Sequence, residues 1–126
     1  MGKDLKELVK ITRDFIDERD WRQFQTSKDL AEDISVEAGE LLELFLWKKG
    51  EEVDKEAAAG DILQKIKNET ADVMFGCMAL SDHLGFDLEE AFLSKVQQLE
   101  KRYKKEEVMG KSVKIDEDEW LEKNKE

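Results

Sequence analysis

No proline interrupts this chain at any of its 126 positions, and only seven of those positions are glycine. Proline and glycine are the residues that break helices most strongly, so little in the backbone chemistry forces short elements or tight turns. Glu, Lys, Leu and Ala dominate between the glycines, and they favour helix over strand. The chain is therefore expected to be all-α. Hydrophobic residues at 40% can fill a core, while 42% charged residues place wet outer faces on the helices. This length suits one domain, short enough that self-association would help to close it.

A formal charge of −11 argues against a nucleic-acid polymer as partner, because phosphate backbones are held by clustered Lys and Arg. A small phosphate-bearing ligand stays open, since a divalent cation held by acids reverses the local sign. The single cysteine, Cys77, permits no internal disulfide, and its neighbours Val73, Met74 and Leu80 predict a buried thiol in a reducing compartment. No apolar run reaches the length of a membrane span, and the charged N-terminus lacks a signal-peptide pattern. A cytoplasmic protein with no membrane partner is expected.

Periodicity predicts four main helices. The first starts at Asp4, with Glu7 at the reciprocal capping position, and shows Leu5, Leu8, Val9, Thr12, Phe15 and Ile16 on one face to about Arg19. Asp20 to Lys28 breaks the pattern but keeps Trp21 and Phe24, which marks an ordered loop. Asp29 with Glu32 is expected to cap a second helix running to about Lys49. Its end is apolar on several sides through Leu41, Leu42, Leu44, Phe45, Leu46 and Trp47, which calls for cover on several sides. Gly50 to Gly60 reads as a connection with partial helix. A third helix spans about Asp61 to Leu84, stopped by Gly85, and Asp87 with Glu90 caps a fourth that reaches Tyr103. Residues 105–126 read as a charged tail with local helix near Trp120, following a domain of residues 1–104.

Two patterns carry chemistry: Glu37-Ala-Gly-Glu40 on the second helix and Glu69-Thr-Ala-Asp72 on the third. Residues three apart share a helix face one turn apart, so each pair brings two carboxylates to a common point. At about 100° per residue, Glu69 falls inside the apolar stripe of Ile62, Ile66, Val73 and Leu80, with Asp72 about 60° further round. Glu37 and Glu40 lie closer to the apolar stripe than Glu43 does. A carboxylate turned toward an apolar interior costs several kcal/mol unless it is paired, protonated or metal-bound. Hard oxygen ligands without His or Cys point to Mg²⁺, with Mn²⁺ as a substitute. Gly39 and Ala71, between the paired acids, leave room for close helix approach. The bland alternative is a solvated acidic face.

These residues resemble the all-α nucleoside triphosphate pyrophosphatase superfamily, specifically its MazG-like and dCTP pyrophosphatase group. The ExxE and ExxD pair, Arg19-Asp-Trp-Arg-Gln-Phe24, Glu40-Leu-Leu-Glu-Leu-Phe-Leu-Trp47, and Ser94-Lys-Val with Lys101-Arg-Tyr103 occur in the family's order, from about Leu5 to Tyr103. The resemblance implies a four-helix bundle completed by dimerisation through the second and third helices, as a homodimer or a dimer of dimers. It also implies Mg²⁺ on Glu37, Glu40, Glu69 and Asp72, which would be the catalytic acids. The substrate would be a nucleoside triphosphate, dCTP or another dNTP, cleaved by water at the α-phosphorus to monophosphate and pyrophosphate in nucleotide-pool house-cleaning. Lys95 and Arg102 match basic positions aimed at the phosphates, Trp21, Phe24 and Trp47 match aromatics near the base, and Lys28 matches a basic position after the loop.

The chain departs from the family pattern at Gln25, where a histidine is common, at Asp29 for asparagine, at Gly76 for tyrosine and at Leu99 for asparagine, and Lys104 follows Tyr103 where proline is usual. These departures keep a rival open: a non-catalytic helical module that binds nucleotide or protein and has kept the fold without turnover. A di-iron carboxylate bundle is disfavoured, because His83, the one histidine, forms no Glu-x-x-His pair and reads as structural.

Overall fold

The computed structural model describes residues 2–125, and every regular element among them is helical. Helix α1 (Leu5–Glu18) opens as its sequence dictates: the Asp4 carboxylate accepts the Glu7 N–H at 2.9 Å, and Glu7 Oε2 accepts the Asp4 N–H at 3.3 Å. Its inward face buries Thr12 and Ile16, and the Thr12 hydroxyl donates to the Leu8 carbonyl. The loop that follows contains a single 3₁₀ turn, Arg22–Phe24.

Helix α2 (Ser27–Glu43) begins earlier than the sequence reading places it. Thr26, in extended geometry, is the N-cap, and Asp29 is the reciprocal residue of its capping box. The Thr26 hydroxyl accepts the Asp29 N–H, so Asp29 falls inside the helix, where the Thr26 backbone N–H and then its hydroxyl hold the Asp29 carboxyl below its ordinary range. The helix also stops short of Lys49: Leu44 to Trp47 form turns, and Trp47 adopts φ 65°, in the left-handed region, with its side chain fully exposed. Residues 50–59, read as a connection, are a complete helix α3 (Gly50–Ala59) that buries Val53. Gly60, at φ 92°, ends α3, and α4 (Leu63–Leu84) runs to Gly85 at φ 73°. Both glycines take a conformation that a side chain would strain.

These elements form one compact unit, residues 1–86, in which α1, α2 and α3 all pack on α4. Ile16, Leu30 and Ala79 make the core cluster, with Phe75 and Leu80 packed against it. The C-terminal end of α4 is pinned by charge. Asp82, 9% exposed, accepts from Arg13 Nε at 2.6 Å and Arg22 Nη2 at 2.9 Å, while Arg22 Nε donates to Asp17 at 2.8 Å. Burial pushes the Asp82 carboxyl up, but the two arginine hydrogen bonds outweigh it and leave the group below its usual range.

The second compact unit is residues 87–126. Helix α5 (Leu88–Arg102) is capped by Asp87, which accepts the Glu90 N–H at 3.1 Å. The short α6 (Lys105–Val108) and α7 (Glu117–Lys123) follow, the latter in the stretch expected to be helical around Trp120. The two units divide between Phe86 and Asp87, and within the second α5 holds the segment that follows it. The Tyr103 hydroxyl accepts the Ile115 N–H at 2.9 Å, and Lys95 on α5 pairs with Glu117. The four helices expected from periodicity are thus α1, α2, α4 and α5. Among the described residues no helix is long and apolar enough to cross a membrane.

Candidate metal centre

Helices α2 and α4 run antiparallel at their contact. As α2 advances from Ile34 to Glu40, its partners on α4 retreat from Gly76 to Glu69. This register places the two acidic patterns face to face. Glu37, Glu40 and Glu69 each offer a carboxylate oxygen, and these oxygens lie within 4.8 Å of one another. Glu37 and Glu69 are half-buried, as their places beside the apolar stripes predict, while Glu40 is exposed.

The buried oxygens lack partners. Glu37 Oε2 and Glu69 Oε2, one from each helix, are shielded from solvent without a hydrogen bond. No lysine or arginine forms an ion pair with Glu37, Glu40, Glu69 or Asp72 among the described residues. Burial raises the Glu37 carboxyl above its ordinary pKa, followed by a shared hydrogen bond with Glu40 and by repulsion from Glu40, Asp72 and Glu69. Burial likewise raises Glu69, with repulsion from Glu40 and Asp72 next and Glu43 contributing less. Such a site is held together against its own charge. Three oxygen donors with orphaned lone pairs and no His or Cys fit a hard divalent cation.

Asp72 stands slightly apart. It is exposed and outside the tight set of three, yet near enough to raise both half-buried acids. Glu43, read from sequence as turned to solvent, also reaches Glu69 electrostatically. Its signal was present in the sequence: Glu37, Glu40 and Glu43 are one ladder at three-residue spacing. The close helix approach is not at Gly39, where an added Cβ would meet nothing within 4 Å, nor at exposed Ala71. It lies at Gly76 against Ile34.

The other predicted residues are dispersed. Trp21 packs edge-on against Phe15, at 5.7 Å between ring centroids, and Phe15 in turn against Phe75 at 5.6 Å. Phe24 and Trp47 are exposed, and Lys28 extends from the first turn of α2 with Glu32 at 3.9 Å. Lys95 and Arg102 belong to the second unit, where both face Glu117: Lys95 by a direct hydrogen bond, Arg102 at 3.8 Å. Hydrogen bonds from Lys95 and then Gln98 hold the Glu117 carboxyl below its usual range. Arg102 is buried, and its Nε and Nη1 make no hydrogen bond. His83 sits half-buried in the last turn of α4, and Cys77 is half-buried instead of fully enclosed.

Comparison with known proteins identifies the family. Residues 33–123 match the MazG-like family, a stretch that contains all four acids. The chain is 32% identical over 99 residues to dCTP pyrophosphatase 1 of Bos taurus, which covers 79% of this chain and 59% of that protein. The Mus musculus protein of the same name matches at the same identity over 58% of its length, so the chain spans less than two thirds of these relatives. Among solved structures, a pyrophosphatase from Archaeoglobus fulgidus superposes with a TM-score of 0.73 at 32% identity, covering 82% of this chain and 95% of that one. Facing acidic helices, the order of the motifs and these likenesses lead to one conclusion: the chain belongs to the MazG-like family.

Proposed function

We propose that this protein hydrolyses a nucleoside triphosphate, dCTP or another dNTP, to the monophosphate and pyrophosphate, using Mg²⁺ held by Glu37, Glu40, Glu69 and Asp72. The observation that carries the reading is the convergence of Glu37, Glu40 and Glu69, with two buried carboxylate oxygens left unpaired. The relatives named dCTP pyrophosphatase 1 support the substrate class.

When bound, the cation would neutralise phosphate charge and polarise the phosphoryl group. The acids position it and supply a proton acceptor for the attacking water. Exposed Trp47 and Phe24 offer apolar faces to a base, and Trp21 offers one edge of an aromatic row. Lys28, Lys95 and Arg102 supply positive charge for phosphates. A homodimer, or a dimer of dimers, in the cytoplasm completes the proposal: Val36, Leu42 and Leu46 on and just after α2 are 59%, 60% and 45% exposed in the single chain.

The test is pyrophosphate release from a panel of dNTPs and NTPs, with and without Mg²⁺, followed by chromatography of the product. Mg²⁺-dependent formation of monophosphate is the expected result. Mg²⁺ binding without turnover of any nucleotide would replace the enzyme with a binding module.

A further inference from the structure

Gly76, on α4, lies directly against Ile34 of α2. A Cβ built there would sit 2.8 Å from Ile34 Cγ1, well inside contact distance, with the Ile34 Cα 3.8 Å away. Among the described residues, no other glycine has a non-local atom within 4 Å of its Cβ position. The missing side chain therefore serves helix approach at this point and nowhere else.

Gly76 is also aligned with the acids. Seven residues separate it from Glu69, so the two share one face of α4 about 10 Å apart. Ile34 precedes Glu37 by one turn on α2, and Gly76 is buried in the same contact. The carboxylates of Glu37, Glu40 and Glu69 converge about two turns away, and like charges so placed push the helices apart. Without a Cβ at position 76, the two helices can stay close at Ile34 despite that repulsion. Ile34 cannot easily swing aside to admit a methyl group, because a β-branched residue in a helix is confined almost entirely to one χ1 rotamer. Close-packed interiors transmit such a displacement instead of absorbing it.

We infer that Gly76 is a positioning residue for the carboxylate centre: its lack of a side chain sets the α2–α4 separation that brings Glu37 and Glu40 within reach of Glu69. The inference deepens the metal-site reading above and rests on it. The same contact explains why this chain has no room for the tyrosine expected at position 76.

The experiment is a double-mutant cycle read by Mn²⁺ binding, using the electron paramagnetic resonance signal of free Mn²⁺, alongside circular dichroism and thermal melting. Gly76→Ala should weaken Mn²⁺ binding by about tenfold or more, the scale on which supporting residues tune metal sites, while leaving the chain helical. Ile34→Ala, which removes the opposing Cγ1, should leave binding within roughly threefold of the parent. Combined with Gly76→Ala it should restore most of the lost affinity, a non-additivity expected only of residues in contact. Undiminished Mn²⁺ binding by Gly76→Ala with only a lower Tm would overturn the inference and leave Gly76 a packing residue. Failure of the double variant to recover affinity while both variants stay folded would overturn it too. If the parent protein itself binds no Mn²⁺, the carboxylate-site reading fails first and takes this inference with it.

Discussion

Near the C-terminal end of α4, Asp82 is a buried carboxylate gripped by two arginines; about 20 Å earlier on the same helix, Glu69 is a half-buried carboxylate surrounded by other acids. One helix thus carries both solutions to the problem of an acid out of water. At Asp82 the protein supplies the counter-charge itself, and the result is a brace joining α1, the loop after it and α4. At Glu69 none of the described residues supplies a counter-charge, and the deficit is what a ligand can fill. A buried acid matched from within reads as architecture, whereas one left unmatched reads as a site.

The largest effect should come from the unmatched cluster. Glu40→Gln, and separately Asp72→Asn, should abolish hydrolysis and weaken divalent-cation binding on the order of 100-fold, with far-ultraviolet circular dichroism nearly unchanged. Loss of helical signal in either variant would mean that these acids are architectural after all, and the contrast would collapse. Asp82→Ala should do the reverse. It leaves Arg13 without its partner and Arg22 with Asp17 alone, and should cost about 2 kcal/mol, seen in chemical denaturation and as a Tm lower by roughly 8 °C, while cation affinity stays unchanged.

Acidity separates the two regions by sign. Glu37 and Glu69 hold protons above the ordinary 4.5, so the folded, metal-free chain retains protons that the unfolded chain has released. Their effect on stability is unfavourable and sets in as pH rises from 4.5 through their raised values. Asp82 titrates below the ordinary 3.8, so its favourable contribution is complete above 3.8 and lost as pH falls through its lowered value. Melting temperature against pH for the metal-free protein should therefore decline above 4.5. Glu69→Gln should flatten that decline and Asp82→Ala should not; equal slopes in all three proteins would remove the electrostatic basis of the comparison.

Much of this was legible in the sequence, and what was not has a physical reason. N-caps are local, so the Asp4 start of α1 and the Asp87 start of α5 followed from residue types alone, although only α1 closes the reciprocal bond of a full capping box. At α2 two capping sets overlapped, and the competition between Thr26 and Asp29 was decided by backbone geometry that residue order does not reveal. The core-facing acids were legible because helical periodicity fixes angles on one helix. The register between two helices is a tertiary property. Gly76, which the sequence marked only as a departure from a family pattern, therefore showed its role only when Ile34 was found against it. The Glu117 pairing with Lys95 was likewise invisible, since it spans 22 positions with no periodic signal between them.

Trp47 shows what such a molecule sets aside. Its backbone is left-handed and its indole is wholly exposed, so within one chain it contributes strain and no packing. Trp47→Gly should raise the stability of the isolated chain by up to about 1 kcal/mol, the strain relieved less the extra freedom glycine has when unfolded, measurable by denaturant titration at low protein concentration. A programme of thermostabilisation guided by the single chain would begin with that substitution, and would thereby delete the aromatic surface most freely presented to whatever lies outside it.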